Sequence, residues 1–271
     1  MTFSILHAHR KRAADPRLGR HFSWDSRNEN FLYEGTPTYT TVRWNRSTPI
    51  LDQGNLGSCT GNAIDAVLGC AGLYAALSNG QQTQIGSEDQ AVAFYSLATQ
   101  LDGYPGTYPP DDTGSDGPSA AKAAMQLGFL SGYQHATTIS AALAALEKGP
   151  VITGVNWYNN MFTPNADGLV TIPKHDTIAG GHEFLVDEID ATRGWVGCDN
   201  SWGTSFGVGG RFYMTFATWQ RLLGEQGDVT VPVPLSAPAP TPTPVPAPVA
   251  VTGQQAADAV TASLRNLGLT V

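Results

Sequence analysis

Cys59 follows Gly57-Ser58 and opens a run in which Ala63, Ala66, Val67, Cys70, Leu73, Tyr74 and Leu77 recur at helical spacing. A thiol at a helix N-terminus faces unsatisfied N–H groups and the positive end of the helix dipole, and both favour thiolate over thiol. A lone cysteine is also a common buried hydrophobe, and Cys70 and Cys198 read that way. A nucleophilic cysteine needs a base. His182 has the most informative setting of the six histidines: Gly180-Gly181 precede it and Phe184-Leu185-Val186 follow, which places it at the beginning of a buried strand. A third group must orient the imidazole. Asn200 can accept a hydrogen bond from the ring, and Trp202 can cover that bond against water. Gln53, six residues before Cys59, can donate its side-chain amide to a developing oxyanion beside the Cys59 backbone N–H.

The elements that must position these groups fall into two halves. The first half is helical. A long helix is expected from Cys59 to Asn79-Gly80, with Gly80 as its left-handed cap. Further helices are expected at 89–101, at 118–127 with Pro118 in the first turn, and at 139–148. In the second half, 151–155, 183–189, 194–198 and 210–216 are rich in β-branched and aromatic residues and read as strands. Helices first and strands second indicate an α+β fold of two lobes with a site in the cleft between them. His135 and His175 are expected in polar loops. Asp111, Asp112 and Asp116 lack the alternating spacing of a calcium loop and read as an acidic turn capping the next helix, so no metal is expected.

The chain has 271 residues, 41% hydrophobic, enough for a sizeable core. No apolar run approaches the ~20 residues of a membrane span, and the N-terminus lacks the order of a secretory signal, which implies synthesis into the cytoplasm. Three cysteines are too few for a disulfide scaffold. The net charge of −8 divides into +4 over residues 1–46 and −12 over the rest. The acidic body argues against nucleic acid as a partner. The basic arm reads as a solvated tail, a polyanion-binding segment or a strap lying on its own acidic body. The expected division is an arm over 1–42, a compact domain over 43–231, a proline-rich extended spacer over 232–251 and a short helix or disordered tail over 252–271. The tail would suit docking on a larger assembly.

Three segments together carry a family resemblance. Gln53-Gly54-Asn55-Leu56-Gly57-Ser58-Cys59 resembles the oxyanion-glutamine and nucleophile segment of papain-like cysteine peptidases. Gly180-Gly181-His182 resembles their histidine segment, and Asn200-Ser201-Trp202-Gly203-Thr204-Ser205-Phe206-Gly207 their asparagine–tryptophan signature. Order and spacing agree across about residues 42–216. The resemblance implies a two-lobed papain-like fold, helical N-terminal lobe and β-rich C-terminal lobe, with the active site in the cleft. It implies a cysteine-type endopeptidase without cofactor that acts on a peptide or protein substrate. The catalytic residues would be Gln53, Cys59, His182 and Asn200, with Ser58 and Trp202 in support and Gly117 and Gly181 binding substrate.

The chain also departs from that pattern. Leu56 and Ser115 stand where the family has a disulfide-bonded pair, Thr60 follows the nucleophile in place of tryptophan, and Phe206 replaces the second signature tryptophan. Pro118 stands near a position where the family uses a glycine amide. About 42 residues precede the domain, too few for the family's long propeptide. The lost disulfide and missing signal suggest an intracellular setting or one associated with a phage or bacterium. A catalytically silent peptide-binding module, or a transamidase or cell-wall peptide hydrolase using the same residues, are the alternatives.

Overall fold

The computed structural model describes residues 5–7, 14–25 and 31–235. The expected tail helix and all of the proline-rich spacer beyond Leu235 lie outside these residues. The first strands, β1 (Ile5–His7) and β2 (Ser23–Asp25), form an antiparallel pair of their own. Then come β3 (Val42–Arg43), α1 (Cys59–Leu68), α2 (Ala71–Ala76), α3 (Asn79–Gln82), α4 (Glu88–Leu101) and α5 (Gly117–Gln126). After these, β4 (Gly132–Ala136) and α6 (Ile139–Leu146) lead into β5 (Val151–Tyr158) and β6 (Ile178–Asp190). The chain continues through β7 (Trp195–Asp199), β8 (Arg211–Thr215), α7 (Phe216–Gly224) and β9 (Asp228–Val233). Strands β4, β9, β5, β6, β7 and β8 lie in that order in one antiparallel sheet, and β3 pairs with β6 as its seventh strand. This is an α+β architecture with the helices α1, α4 and α5 on one side and the sheet on the other.

Helix α1 is buried at every position, as a helix between two layers must be. It meets α4 at Gly61, where an added Cβ would lie 2.2 Å from the Ala91 carbonyl oxygen. The long helix expected from Cys59 to Gly80 is broken in three. Arg46 bridges Cys70, the Asn45 carbonyl takes the Ala71 amide and the Gly69 carbonyl takes the Ser47 amide, so a neighbouring segment captures the backbone that would have continued the helix. Cys70 therefore sits extended before α2 rather than on the α1 face, and Gly80 lies inside α3 rather than capping a helix. Helices α4, α5 and α6 fall close to expectation. Ser87, Asp116 and Thr138 cap them by accepting from Gln90, Ser119 and Ala141 amides. Asp116 thus caps a helix as expected. Among the described residues no group of acidic, histidine or cysteine side chains could hold a metal ion, and no helix is long and apolar enough to cross a membrane.

His135 lies buried in β4, not in a polar loop. β3 starts at Val42, the last residue of the expected arm, and β9 runs through Pro232 and Val233, the first two of the expected spacer; earlier arm residues pack on the domain as well, with Leu18 and Arg20 buried and Tyr33 and Tyr39 against the core. Pro232 is tolerated because β5 pairs with β9 only over 228–230, and beyond that β9 has a partner on one side alone.

Candidate active site

Cys59 stands at the start of α1, with Ser58 before it as the N-cap residue. The Ser58 hydroxyl and carbonyl both accept from the Asn62 side-chain amide, which ties the cap to the next turn. One step earlier, the Gly57 amide donates to both oxygens of Asp112, which also accepts from Tyr95. His182 lies within β6, opposite Val155 of β5, four residues beyond the strand's start rather than at it. Both Cys59 and His182 are fully buried.

His182 Nε2 lies 2.7 Å from Asn200 Oδ1. That oxygen also accepts the Ser201 amide at 2.8 Å. A carbonyl oxygen can only accept, so Nε2 carries the proton and Nδ1 carries the lone pair. Nδ1 has no hydrogen-bond partner among the described residues. Trp202 lies over the imidazole, with ring centroids 4.6 Å apart. Trp157 meets both rings edge-on, and Phe206 meets Trp202 edge-on at 5.0 Å. The His182–Asn200 bond therefore lies under an aromatic roof. Gln53 is held against the same loop, its Oε1 accepting from the Ser201 hydroxyl at 2.6 Å and its backbone N–H donating to Ser201 O. Its Nε2 donates to Leu56 O at 2.7 Å and to Arg17 O at 3.1 Å.

The Arg17 carbonyl belongs to the arm, and residues 15–22 run through the cleft. The Arg20 amide donates to Gly181 O, the His21 amide to Ser115 O, and the Ser115 amide to Gly19 O. The strap thus bridges the two walls as an extended segment parallel to both. The backbone N–H of Gly19 lies within reach of the Cys59 sulfur. A Cβ on Gly19 would lie 2.0 Å from Gly57 O, so only glycine allows this approach. Gly181 faces the Arg20 carbonyl, and Gly117 opens α5 facing the Glu183 carboxyl. The Arg17 guanidinium sits 4.4 Å from the Trp202 ring centroid.

Burial sets the acid–base balance of the site. Burial pushes the Cys59 thiol up to about 12, although the amides of Glu183, Gly19 and Thr60 favour the thiolate. Burial likewise pushes His182 down to about 4, against the Asn200 hydrogen bond. Burial thus works against charge on both groups. All three cysteines are free.

No protein-family model matches the chain, and no curated protein sequence matches it. Solved structures do match. Xylellain, a cysteine protease from Xylella fastidiosa, superposes with a TM-score of 0.62 at 18% identity, over 84% of this chain and 100% of its own. Digestive procathepsin L 3 of Tenebrio molitor superposes at 0.54 and 16% identity, over 81% and 77%. The proform of the ragweed pollen cysteine protease Amb a 11 gives 0.54 at 18%, over 84% and 77%. The chain has the papain-like cysteine peptidase fold. Within this papain-like frame the structure brings Gln53, Cys59, His182, Asn200 and Trp202 to one cleft, with Ser58, Gly117 and Gly181 on its walls. Arg17, Gly19, Arg20, Glu183 and Asp228 line or fill the cleft too, and the sequence did not single them out. A basic arm beside an acidic body was the one signal, and it does not say which arginine meets which carboxylate.

Proposed function

We propose that this protein is a cysteine peptidase whose cleft is covered by its own residues 15–22. The observation that carries the reading is the His182 Nε2–Asn200 Oδ1 bond at 2.7 Å, which leaves a basic Nδ1 on an imidazole beside the helix that Cys59 opens. The fold shared with known cysteine proteases supports it. With the strap displaced, water enters, the burial penalty on charge falls, and the proton of Cys59 can pass to His182 Nδ1. The thiolate attacks a peptide carbonyl carbon. The oxyanion takes hydrogen bonds from Gln53 Nε2, freed from Arg17 O, and from the Cys59 amide. His182 gives its proton to the leaving amine as the C–N bond breaks, leaving a thioester on Cys59. Water, deprotonated by His182, hydrolyses the thioester and restores the thiol. Asn200 keeps the ring oriented, and Trp202 keeps water off the orienting bond.

The test uses the full chain carrying Gly19→Ala, which cannot hold the strap in the cleft. Incubated with a mixed peptide library and read by mass spectrometry, it is expected to cut peptides, and Cys59→Ala in the same background to cut none. A folded Gly19→Ala protein whose Cys59 alkylates rapidly but which cuts nothing would overturn the reading.

A further inference from the structure

The side chain of Arg20 enters a pocket beside His182 that is built for it. Its Nη2 pairs with Asp228 and donates to Gln226 O at 2.9 Å, and its Nε lies 4.0 Å from Glu183 Oε2. The Arg20 and Glu183 side chains are 2% and 0% exposed. Two glycines form the pocket's remaining wall. A Cβ on Gly154 would meet Glu183 Oε2 at 2.4 Å and Arg20 Nε at 2.5 Å, and a Cβ on Gly117 would meet Glu183 Oε1 at 2.7 Å. Side chains at either position would fill the space. Neither Glu183 oxygen, nor Asp228 Oδ2, nor Arg20 Nε, nor Thr230 Oγ1 makes a hydrogen bond among the described residues. The pocket therefore holds more acceptors than the strap's one guanidinium satisfies. Its place in the cleft is fixed by the backbone: Gly19 lies against Cys59 and pairs with Gly181, and Arg20 pairs with Ser115 and donates its amide to Gly181 O.

We propose that the pocket of Glu183, Asp228, Gly154 and Gly117 selects an arginine side chain in the substrate, and that Arg20 occupies it as a stand-in. An apolar side chain there would leave two carboxylates dry and unpaired, a penalty that arginine removes. Burial and the charge of Asp228 push the Glu183 carboxyl up, Arg20 pulls it down, and Asp116 pushes it up again. Lysine's three N–H groups radiate from a single nitrogen, whereas the guanidinium spreads its donors over Nε and Nη2 toward Glu183, Asp228 and the Gln226 carbonyl, so lysine ranks below arginine. The same contact makes substrate and strap competitors, because both need the one pocket. For its substrate the inference rests on the peptidase reading above; the binding of a guanidinium does not.

Two measurements on full-length Arg20→Ala separate the two. The first is the melting temperature with ethylguanidinium, with N-acetyl-arginine amide and with ethylammonium as control. A saturable rise with the two guanidinium probes is expected in Arg20→Ala, absent from wild type, where Arg20 fills the pocket, and from Arg20→Ala/Asp228→Asn. The second is cleavage of a positional peptide library. Arginine is expected to be favoured over leucine by about 30-fold or more at one substrate position, and that preference to fall about tenfold in Arg20→Ala/Asp228→Asn. Guanidinium binding without cleavage of any peptide would keep the pocket and sink the peptidase reading. Cleavage without arginine preference, or a folded variant that ignores both guanidinium probes, would overturn the pocket. Should Arg20→Ala not fold, Gly19→Ala empties the same pocket by expelling the strap, and the same two measurements apply.

Discussion

Gly19→Ala is expected to uncover Cys59, and the size of the effect can be worked from the contacts. The new Cβ would lie 2.0 Å from Gly57 O, 2.6 Å from Gly57 C and 2.7 Å from Gly57 Cα, all backbone atoms at the entrance to α1. Real Cβ atoms essentially never come within 3.0 Å, so the strap must retreat by about an ångström. Its hydrogen bonds to Gly181 O, Ser115 O, the Ser115 amide and Gln53 Nε2 span 2.8 to 3.1 Å, and an ångström of retreat takes them beyond useful length. At about 1 kcal/mol net for each, roughly 4 kcal/mol of strap binding is lost. That shifts the covered–uncovered balance about 1,000-fold. The assay is the rate of Cys59 alkylation by sub-stoichiometric iodoacetamide at about pH 6, mapped by mass spectrometry, where an unperturbed thiol reacts slowly. Cys59 should label at least about 10-fold faster in Gly19→Ala, up to the 1,000-fold limit when strap opening is not itself rate-limiting. The acceleration should vanish in Gly19→Ala/His182→Ala, because the imidazole then no longer takes the thiol proton. Equal labelling rates in wild type and a folded Gly19→Ala would refute the reasoning.

In the Gly19→Ala background, Asn200→Ala removes the hydrogen bond that holds His182 and should lower kcat about 10- to 100-fold with KM little changed, measured on a single cleaved peptide. Arg211 donates to Asp187, Glu188 and Asp199 inside the sheet, so Arg211→Met strands Asp187 and leaves Glu188 and Asp199 only their longer pairs to Arg43 and Arg46; it should cost about 3–5 kcal/mol in urea unfolding. Burial raises Asp65 to about 7 from 3.8, so its contribution to stability is full below pH 3.8 and is lost as pH rises through 7. Asp65→Asn should therefore show a shallower fall in melting temperature between about pH 4 and 8 than wild type. His182, held down at about 4, works in the opposite sense: its contribution is present above pH 6.5 and is lost as pH falls through 4. His182→Ala should flatten the acid side of the same melting profile.

Local chemistry determined much of this molecule. Ser87, Asp116 and Thr138 each stand before a periodic apolar run, and capping is a short-range hydrogen bond, so α4, α5 and α6 were legible from their own residues. The β-branched runs that became β5, β6 and β7 were legible for the same reason, since both faces of those strands are buried. Gln53, Cys59, His182 and Asn200 stood out because each sits in a short motif. What the sequence could not decide depended on segments far apart in the chain. Helix α1 stops at Leu68 because residues 45–47 take the backbone bonds around Gly69, Cys70 and Ala71, and periodicity carries no trace of that competitor. β9 was invisible because its partners, β4 and β5, lie about 75 to 100 residues away. The upward push on Cys59 and the downward push on His182 come from burial, a property of tertiary packing and not of residue type. The acidic pocket came from the same source: Arg20, Glu183 and Asp228 are separated by more than 200 residues end to end, and only the folded cleft makes one guanidinium the partner of two carboxylates.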